Sequence, residues 1–140
     1  KEWGFKFHMN DVSAAVGIEN LKKVDELIST HKSNGKYYND SLKNVDGVTL
    51  LKNEYGFDSS YWIYTMKVNN RNDFMRMMND KGIMVSRVHE RNDRHTCVSE
   101  FISHLPTLDK VVEEMICIPV GWWVSKENRE HIVDCIKQGW

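Results

Sequence analysis

Apolar residues recur at helical spacing early in the chain, at Val12, Ala15, Val16, Leu21, Val24, Leu27, Ile28, Tyr38 and Leu42. The pattern predicts one long helix over 11–42, bent or split at Gly17 or at Ser33-Asn34-Gly35. Asn10 or Asp11 is placed to cap it, because a short side-chain oxygen there satisfies amides that lack an intrahelical partner. Asp46-Gly47 reads as a turn, Val48-Thr49-Leu50-Leu51 as a short strand and 53–60 as a polar loop. The aromatic and β-branched run 61–68 reads as a second strand. Asn70 with Asp73 three residues on predicts a capped helix burying Phe74, Met77 and Met78, stopped by Lys81-Gly82. Ile83-Met84-Val85-Ser86 then reads as a strand, 89–96 as a charged loop without periodicity and 97–103 as a short helix.

Beyond Leu105-Pro106, Thr107 is placed to cap a helix with Leu108, Val111, Val112 and Met115 on one face. Ile116-Cys117-Ile118-Pro119 is a brief strand, Gly121-Trp122-Trp123 a loop, and Ser125 the cap of a last helix through Ile132, Val133 and Ile136. A long helix followed by alternating strands and helices implies an α/β (α+β) two-layer domain: a small mixed or antiparallel sheet with helices packed on one face.

Composition narrows the function more than the fold. The 140 residues suit one domain, and 19 basic against 20 acidic residues leave a net charge of -1. That balance lacks the basic excess a nucleic-acid partner needs. No stretch is long and apolar enough for a membrane span, and the charged, aromatic start is not a secretory leader. Three widely spaced cysteines, Cys97, Cys117 and Cys135, suggest reduced thiols and a cytoplasmic setting. The start at Lys1, without an initiating residue, reads as a chain entered part-way.

Two segments carry candidate chemistry. In the first, Phe5 and Phe7 alternate with Lys6 and His8 directly before the helix predicted at Asn10-Asp11. Helix N-termini favour anions, so this segment suits a phosphate or carboxylate. The second is the loop Arg87-Val88-His89-Glu90-Arg91-Asn92-Asp93-Arg94-His95-Thr96. Its guanidinium groups at Arg87, Arg91 and Arg94 have the fork geometry that fits phosphate oxygens. His89, His95, Cys97 and His104 raise a zinc reading, but their spacings are wider than zinc sites use, and no metal is expected. Trp122-Trp123 suits stacking or packing against a neighbouring surface, and the Met77-Met78 pair belongs to the core.

The order of these motifs resembles the C-terminal part of the DegT/DnrJ/StrS-type sugar aminotransferases. The resemblance rests on Gly4-Phe5-Lys6-Phe7-His8-Met9-Asn10-Asp11 with Ala14-Ala15-Val16-Gly17, then on Ser60-Tyr61-Trp62-Ile63-Tyr64. It continues through Lys81-Gly82-Ile83 with Val85-Ser86, His95-Thr96, and Leu105-Pro106 through Glu113-Glu114 to Ile118-Pro119-Val120. It implies the small domain of a fold type I aminotransferase over 11–140, with 1–10 a remnant of the segment that joins it to a large cofactor domain. It further implies a pyridoxal 5'-phosphate enzyme that takes an amino group from glutamate and passes it to a nucleotide-linked keto-deoxysugar, for amino-sugar biosynthesis. The family's cofactor-bearing lysine lies upstream of the matched segment, and no lysine here matches its motif. The chain alone is therefore expected to lack a catalytic residue and to be inactive. A dehydratase variant, in which histidine replaces that lysine, is left open.

The same resemblance assigns Lys6 and His8 to the cofactor of a partner subunit in a homodimer with shared sites, and His89, Arg91, Asn92 and His95 to the substrate. Lys6 stands where the family more often has asparagine, and His8 where it often has arginine. Surface left bare without the large domain is expected to drive self-association through the first helix and the Trp122-Trp123 loop. The rival reading is a free-standing, non-catalytic α/β module that binds a small ligand or a partner.

Overall fold

The computed structural model describes residues 8–52, 56 and 58–140. The predicted long helix is two: α1 (Asp11–Leu21) and α2 (Val24–Leu42). The break falls at Lys22-Lys23 rather than at either predicted site, closed by amide bonds from Lys22 to Glu19 O and from Lys23 to Asn20 O. Lys23 leaves helical geometry at φ -118°, ψ 2°. Asn10 is the cap of α1, its Oδ1 accepting from the Ser13 amide at 2.8 Å. No residue of α1 is buried. Met9, Val12, Val16, Ile18 and Leu21 all face solvent, spread around the helix rather than gathered on one stripe.

Ser33-Asn34-Gly35 does not bend α2. Gly35 instead lets the helix approach Tyr61: a Cβ there would lie 2.6 Å from the Tyr61 ring. Residues Asn34, Gly35, Tyr38 and Leu42 are the buried positions of α2.

The sheet is antiparallel throughout, in the order β1 (Val48–Leu50), β2 (Tyr64–Val68), β3 (Met115–Ile118). Asp46-Gly47 forms the expected turn, with Gly47 at φ +76° and its amide donating to Asp46 Oδ1. Burial alternates along β2, so Tyr64, Met66 and Val68 face the core while Thr65 and Lys67 face the other way. The core joins these to Tyr38 and Leu42 of α2, Ile116 and Ile118 of β3, Phe74 and Met78 of α3 (Arg71–Asp80) and Ile132, Val133 and Ile136 of α5 (Lys126–Lys137). On the reverse side, α4 (Pro106–Glu114) meets β2 through Lys67 and Glu114, 2.7 Å apart. That ion pair holds the Glu114 carboxyl below its ordinary value, the Lys67 hydrogen bond being the main cause.

The remaining differences from the sequence reading are local. Asn70 precedes α3 in left-handed geometry (φ 48°, ψ 48°) and makes no side-chain cap; its carbonyl receives the Asp73 and Phe74 amides, and the Asp73 side chain binds Arg76. Met77 is only partly buried. The stop at Lys81-Gly82 is as expected: Gly82 at φ +75° lets its amide reach Asn79 O and the Ile83 amide reach Met78 O. Residues 83–86 are not a strand. Ile83 and Val85 are buried, but only Ser86 pairs with the sheet, exchanging both backbone bonds with Cys117. Thr107 does not cap α4; Pro106 takes the first helical position, where its missing amide costs nothing. Ser125 caps α5 as predicted, accepting from the Asn128 amide at 3.1 Å. Cys97, Cys117 and Cys135 are free thiols, the last two buried.

Candidate functional site

One of the two segments singled out in the sequence, the loop 87–96, leaves the sheet after Ser86, and its His89 meets Trp62, which lies just ahead of β2. Tyr61, three residues before β2 starts at Tyr64, has φ 49°. A bulky L residue in that region is strained, by about 1–3 kcal/mol, and persists only where its surroundings fix it. Four contacts fix Tyr61. Its amide donates to Ser59 Oγ at 3.1 Å, and its carbonyl lies 2.9 Å from His31 Nδ1. Its hydroxyl accepts from Asn39 Nδ2 at 2.9 Å, and its ring lies against Gly35. Asn39 in turn accepts from the Tyr64 hydroxyl at 2.8 Å. Burial, with the neighbouring Tyr61 and Tyr38 adding to it, pushes the Tyr64 phenol far above its ordinary pKa, so it stays a donor.

The result of this anchoring is that Trp62 projects into solvent, 70% exposed. The ring it meets is His89, centroids 6.1 Å apart and planes tilted by 48°. His89 is presented by a second strained residue: Val88 has φ 57°, and the His89 amide closes a tight three-residue turn onto Arg87 O at 2.6 Å. For a β-branched side chain this is a rarer conformation still. Three non-glycine residues have positive φ among those described, and two of them directly precede Trp62 and His89.

The rest of the 87–96 loop is held by charge. Arg87 pairs with Glu90 at 2.6 Å. Arg91 donates from Nε to Asp93 Oδ1 at 2.8 Å, from Nη2 to Asp93 Oδ2 and from Nη1 to Asp109 of α4. Its side chain is only 7% exposed. The two-pronged bond from Arg91 holds the Asp93 carboxyl below its usual range. Asn92 opens a 3-10 turn, Asn92–Arg94, whose carbonyl accepts the His95 amide at 3.2 Å. Asn92, Arg94 and His95 are exposed. A longer 3-10 segment, Thr96–Phe101, follows where a short helix was expected.

The structure thus gathers His89, Arg91, Asn92 and His95 on one loop but gives them different surroundings: His89, Asn92 and His95 face solvent, while Arg91 is taken up by two carboxylates. His8 is exposed, two residues ahead of the α1 cap. Among the described residues, no hydrogen bond or ion pair joins His8 to this loop, and no group of three metal-binding side chains occurs. Lys6 lies outside the described residues. The Trp62–His89 contact was not anticipated. Its sequence signal was weak: a tryptophan beside a tyrosine at a strand start reads as core until the left-handed Tyr61 is seen.

The loop Gly121-Trp122-Trp123 lies by the other flank of His31, whose ring meets the Trp123 edge at 6.2 Å. Asn34, 2% exposed, grips this loop. Its Nδ2 donates to the carbonyls of Val120, Gly121 and Val124 at 3.1–3.3 Å, and its Oδ1 accepts from Arg129 at 3.0 Å. Arg129 also stacks over Tyr37 at 4.7 Å. Trp122 and Trp123 themselves remain exposed.

Known proteins share this fold. The profile of the DegT/DnrJ/EryC1/StrS aminotransferase family matches residues 1–137. The sugar aminotransferase CalS13 from Micromonospora echinospora superposes with a TM-score of 0.92 at 41% identity, over 99% of this chain and 38% of its own. AtS13 from Actinomadura melliaura gives 0.91 at 42% identity, over 99% and 37%. The erythromycin biosynthesis sensory transduction protein EryC1 of Saccharopolyspora erythraea is 23% identical, across 97% of this chain and 38% of its own length. The chain therefore spans well under half the length of the proteins it matches.

Proposed function

Because this chain belongs to the DegT/DnrJ/EryC1/StrS aminotransferase family, we propose that it forms the C-terminal small-domain portion of a pyridoxal-phosphate sugar aminotransferase. In this reading the whole enzyme moves an amino group from glutamate to a keto carbon of a nucleotide-linked deoxysugar, in the cytoplasm, as a homodimer with shared sites. The observation that carries it is the match of 99% of this chain to 38% of the sugar aminotransferase CalS13, together with the loop 87–96, which is folded tightly yet leaves His89, Asn92 and His95 open to solvent.

The residues present suit the cofactor's phosphate. His8 stands exposed just before the capped start of α1, and among the described residues the Asp11 and Val12 amides of the first turn have no hydrogen-bond partner. Lys6, two residues earlier, would add a point charge. Pyridoxal phosphate, when bound, supplies the electron sink for amino transfer. This chain's part is to hold and orient. Arg91, locked between Asp93 and Asp109, fixes the loop's shape and ties it to α4. The imidazole of His95 and the amide of Asn92 then meet the substrate's hydroxyl and phosphate oxygens, and the ring of His89 faces the same substrate. The apolar residues of α1 and the exposed Trp122 and Trp123 support contact with a second subunit or with the rest of a longer chain.

The test is amino transfer from glutamate to a nucleotide-linked ketosugar, followed by mass spectrometry as carbonyl turns to amine. An enzyme that includes this chain as its C-terminal part should turn over, and the 140-residue chain alone should not. Turnover by the chain alone, or none by the longer enzyme on any nucleotide-linked ketosugar, would overturn the proposal.

A further inference from the structure

We infer that Trp62 and His89 form a stacking platform for a planar heteroaromatic ring, the base of a nucleotide. The inference rests on the reading that the 87–96 loop meets a nucleotide-linked substrate, and it assigns the base, rather than the sugar or diphosphate, to this pair. Four observations converge. The two ring centroids lie 6.1 Å apart while Trp62 stays 70% exposed, so the pair presents aromatic surface instead of burying it. Each ring follows a residue forced into the left-handed region, Tyr61 and Val88, although neither is glycine.

The strain at Tyr61 is held by α2, through His31, Asn39 and Gly35, so the indole is presented by the rigid core rather than by a free loop. Finally, the Arg87–Glu90 ion pair lies beside His89, next to the exposed Val88. A base offers a π face to the rings and carries its own polar edges into that setting. The preformed geometry also spares the ligand the entropy of ordering two side chains.

The experiment is a nuclear magnetic resonance titration of the 140-residue chain with thymidine, uridine, their 5'-diphosphates and inorganic pyrophosphate as probes. The Trp62 indole signal is assigned as the one lost in Trp62→Phe. Nucleosides without phosphate should already shift that signal and the His89 ring protons, and stacking should move the base protons upfield. Trp62→Ala should weaken nucleoside-diphosphate binding about five-fold or more, and Trp62→Phe should stay within about three-fold of the parent. A Trp62 signal unmoved by tens of millimolar nucleoside overturns the platform, as does Trp62→Ala binding unchanged. Pyrophosphate shifts around Arg94 and His95 without any nucleoside effect at Trp62 would overturn the platform and leave the loop's role standing. In the longer enzyme, Trp62 closed to acrylamide quenching without nucleotide would also overturn it, because polypeptide would then occupy the ring face. Nucleoside stacking in an enzyme that transfers no amino group would instead count against the proposed function and for the platform.

Discussion

Substituting Gly35→Ala sets two effects of known size against each other. In a helix interior alanine is favoured over glycine by about 1 kcal/mol. At this position, however, the new Cβ would lie 2.6–2.7 Å from Cγ, Cδ1 and Cδ2 of Tyr61, the near end of the ring rather than a flexible tip. Tyr61 has little freedom to withdraw: Ser59 and His31 hold its backbone and Asn39 its hydroxyl. Overpacking of this kind typically costs about 1–3 kcal/mol, and displacing Tyr61 adds the loss of its hydrogen bonds at about 1 kcal/mol each. The cost wins, and a net destabilisation of about 1–3 kcal/mol follows.

Gly17→Ala is the control. Nothing lies within 4 Å of a Cβ there, so only the propensity gain remains. Urea denaturation followed by circular dichroism should show Gly35→Ala unfolding at lower urea with an unchanged slope, and Gly17→Ala with equal or higher helicity. Because Tyr61 positions Trp62, Gly35→Ala should also shift the Trp62 indole resonance. A Gly35→Ala protein as stable as the parent or more so would refute the reasoning that the helix needs glycine to admit this ring.

Asn34→Asp replaces the donor that three loop carbonyls share with a group that has none when ionised, and should destabilise the fold by about 2–4 kcal/mol in the same denaturation experiment. Asp93 has a folded pKa below its unfolded value; its stabilising effect is present at neutral pH and is lost as pH falls through that lowered value, below the usual carboxylate range. Amide exchange in the 91–95 turn should therefore speed up in acid before the core amides do, and Asp93→Asn should remove that acid step. In the longer enzyme, Lys6→Ala should weaken cofactor retention by about 1.5–3 kcal/mol if a charged hydrogen bond to the phosphate is lost, and Lys6→Asn should restore most of it, both read from cofactor dissociation.

The sequence was most legible where one residue type does one local job. Ser125 as a cap, Asn10 as one of two candidate caps, the turn at Asp46-Gly47, the helix stop at Lys81-Gly82 and the burial of Phe74, Met78, Ile132, Val133 and Ile136 could all be read from position alone. The misreadings share a cause: tertiary contacts overrode a local signal. Gly35 looked like a helix breaker because the ring that fills its missing side chain comes from 26 positions further on. Residues 83–86 had strand composition, but only Ser86 reaches Cys117.

At the candidate site, the run of arginines and histidines over 87–96 marked the loop as charged and without periodicity, and the resemblance gave it a role. Arg91 reads as a phosphate-binding arginine until Asp93 and Asp109 are seen to enclose it. The Trp62–His89 pair could not be read at all, since left-handed geometry at Tyr61 and Val88 has no sequence signature outside glycine, asparagine and aspartate.

The most direct test of the central claim, that this loop carries substrate recognition in a sugar aminotransferase, is the KM for nucleotide sugar in the longer enzyme bearing His89→Ala with His95→Ala. Loss of the His95 hydrogen bond and of the His89 ring face predicts a rise of about ten-fold or more, with the KM for glutamate moving by less than about two-fold. An unchanged nucleotide-sugar KM, or a change confined to glutamate, would contradict the account.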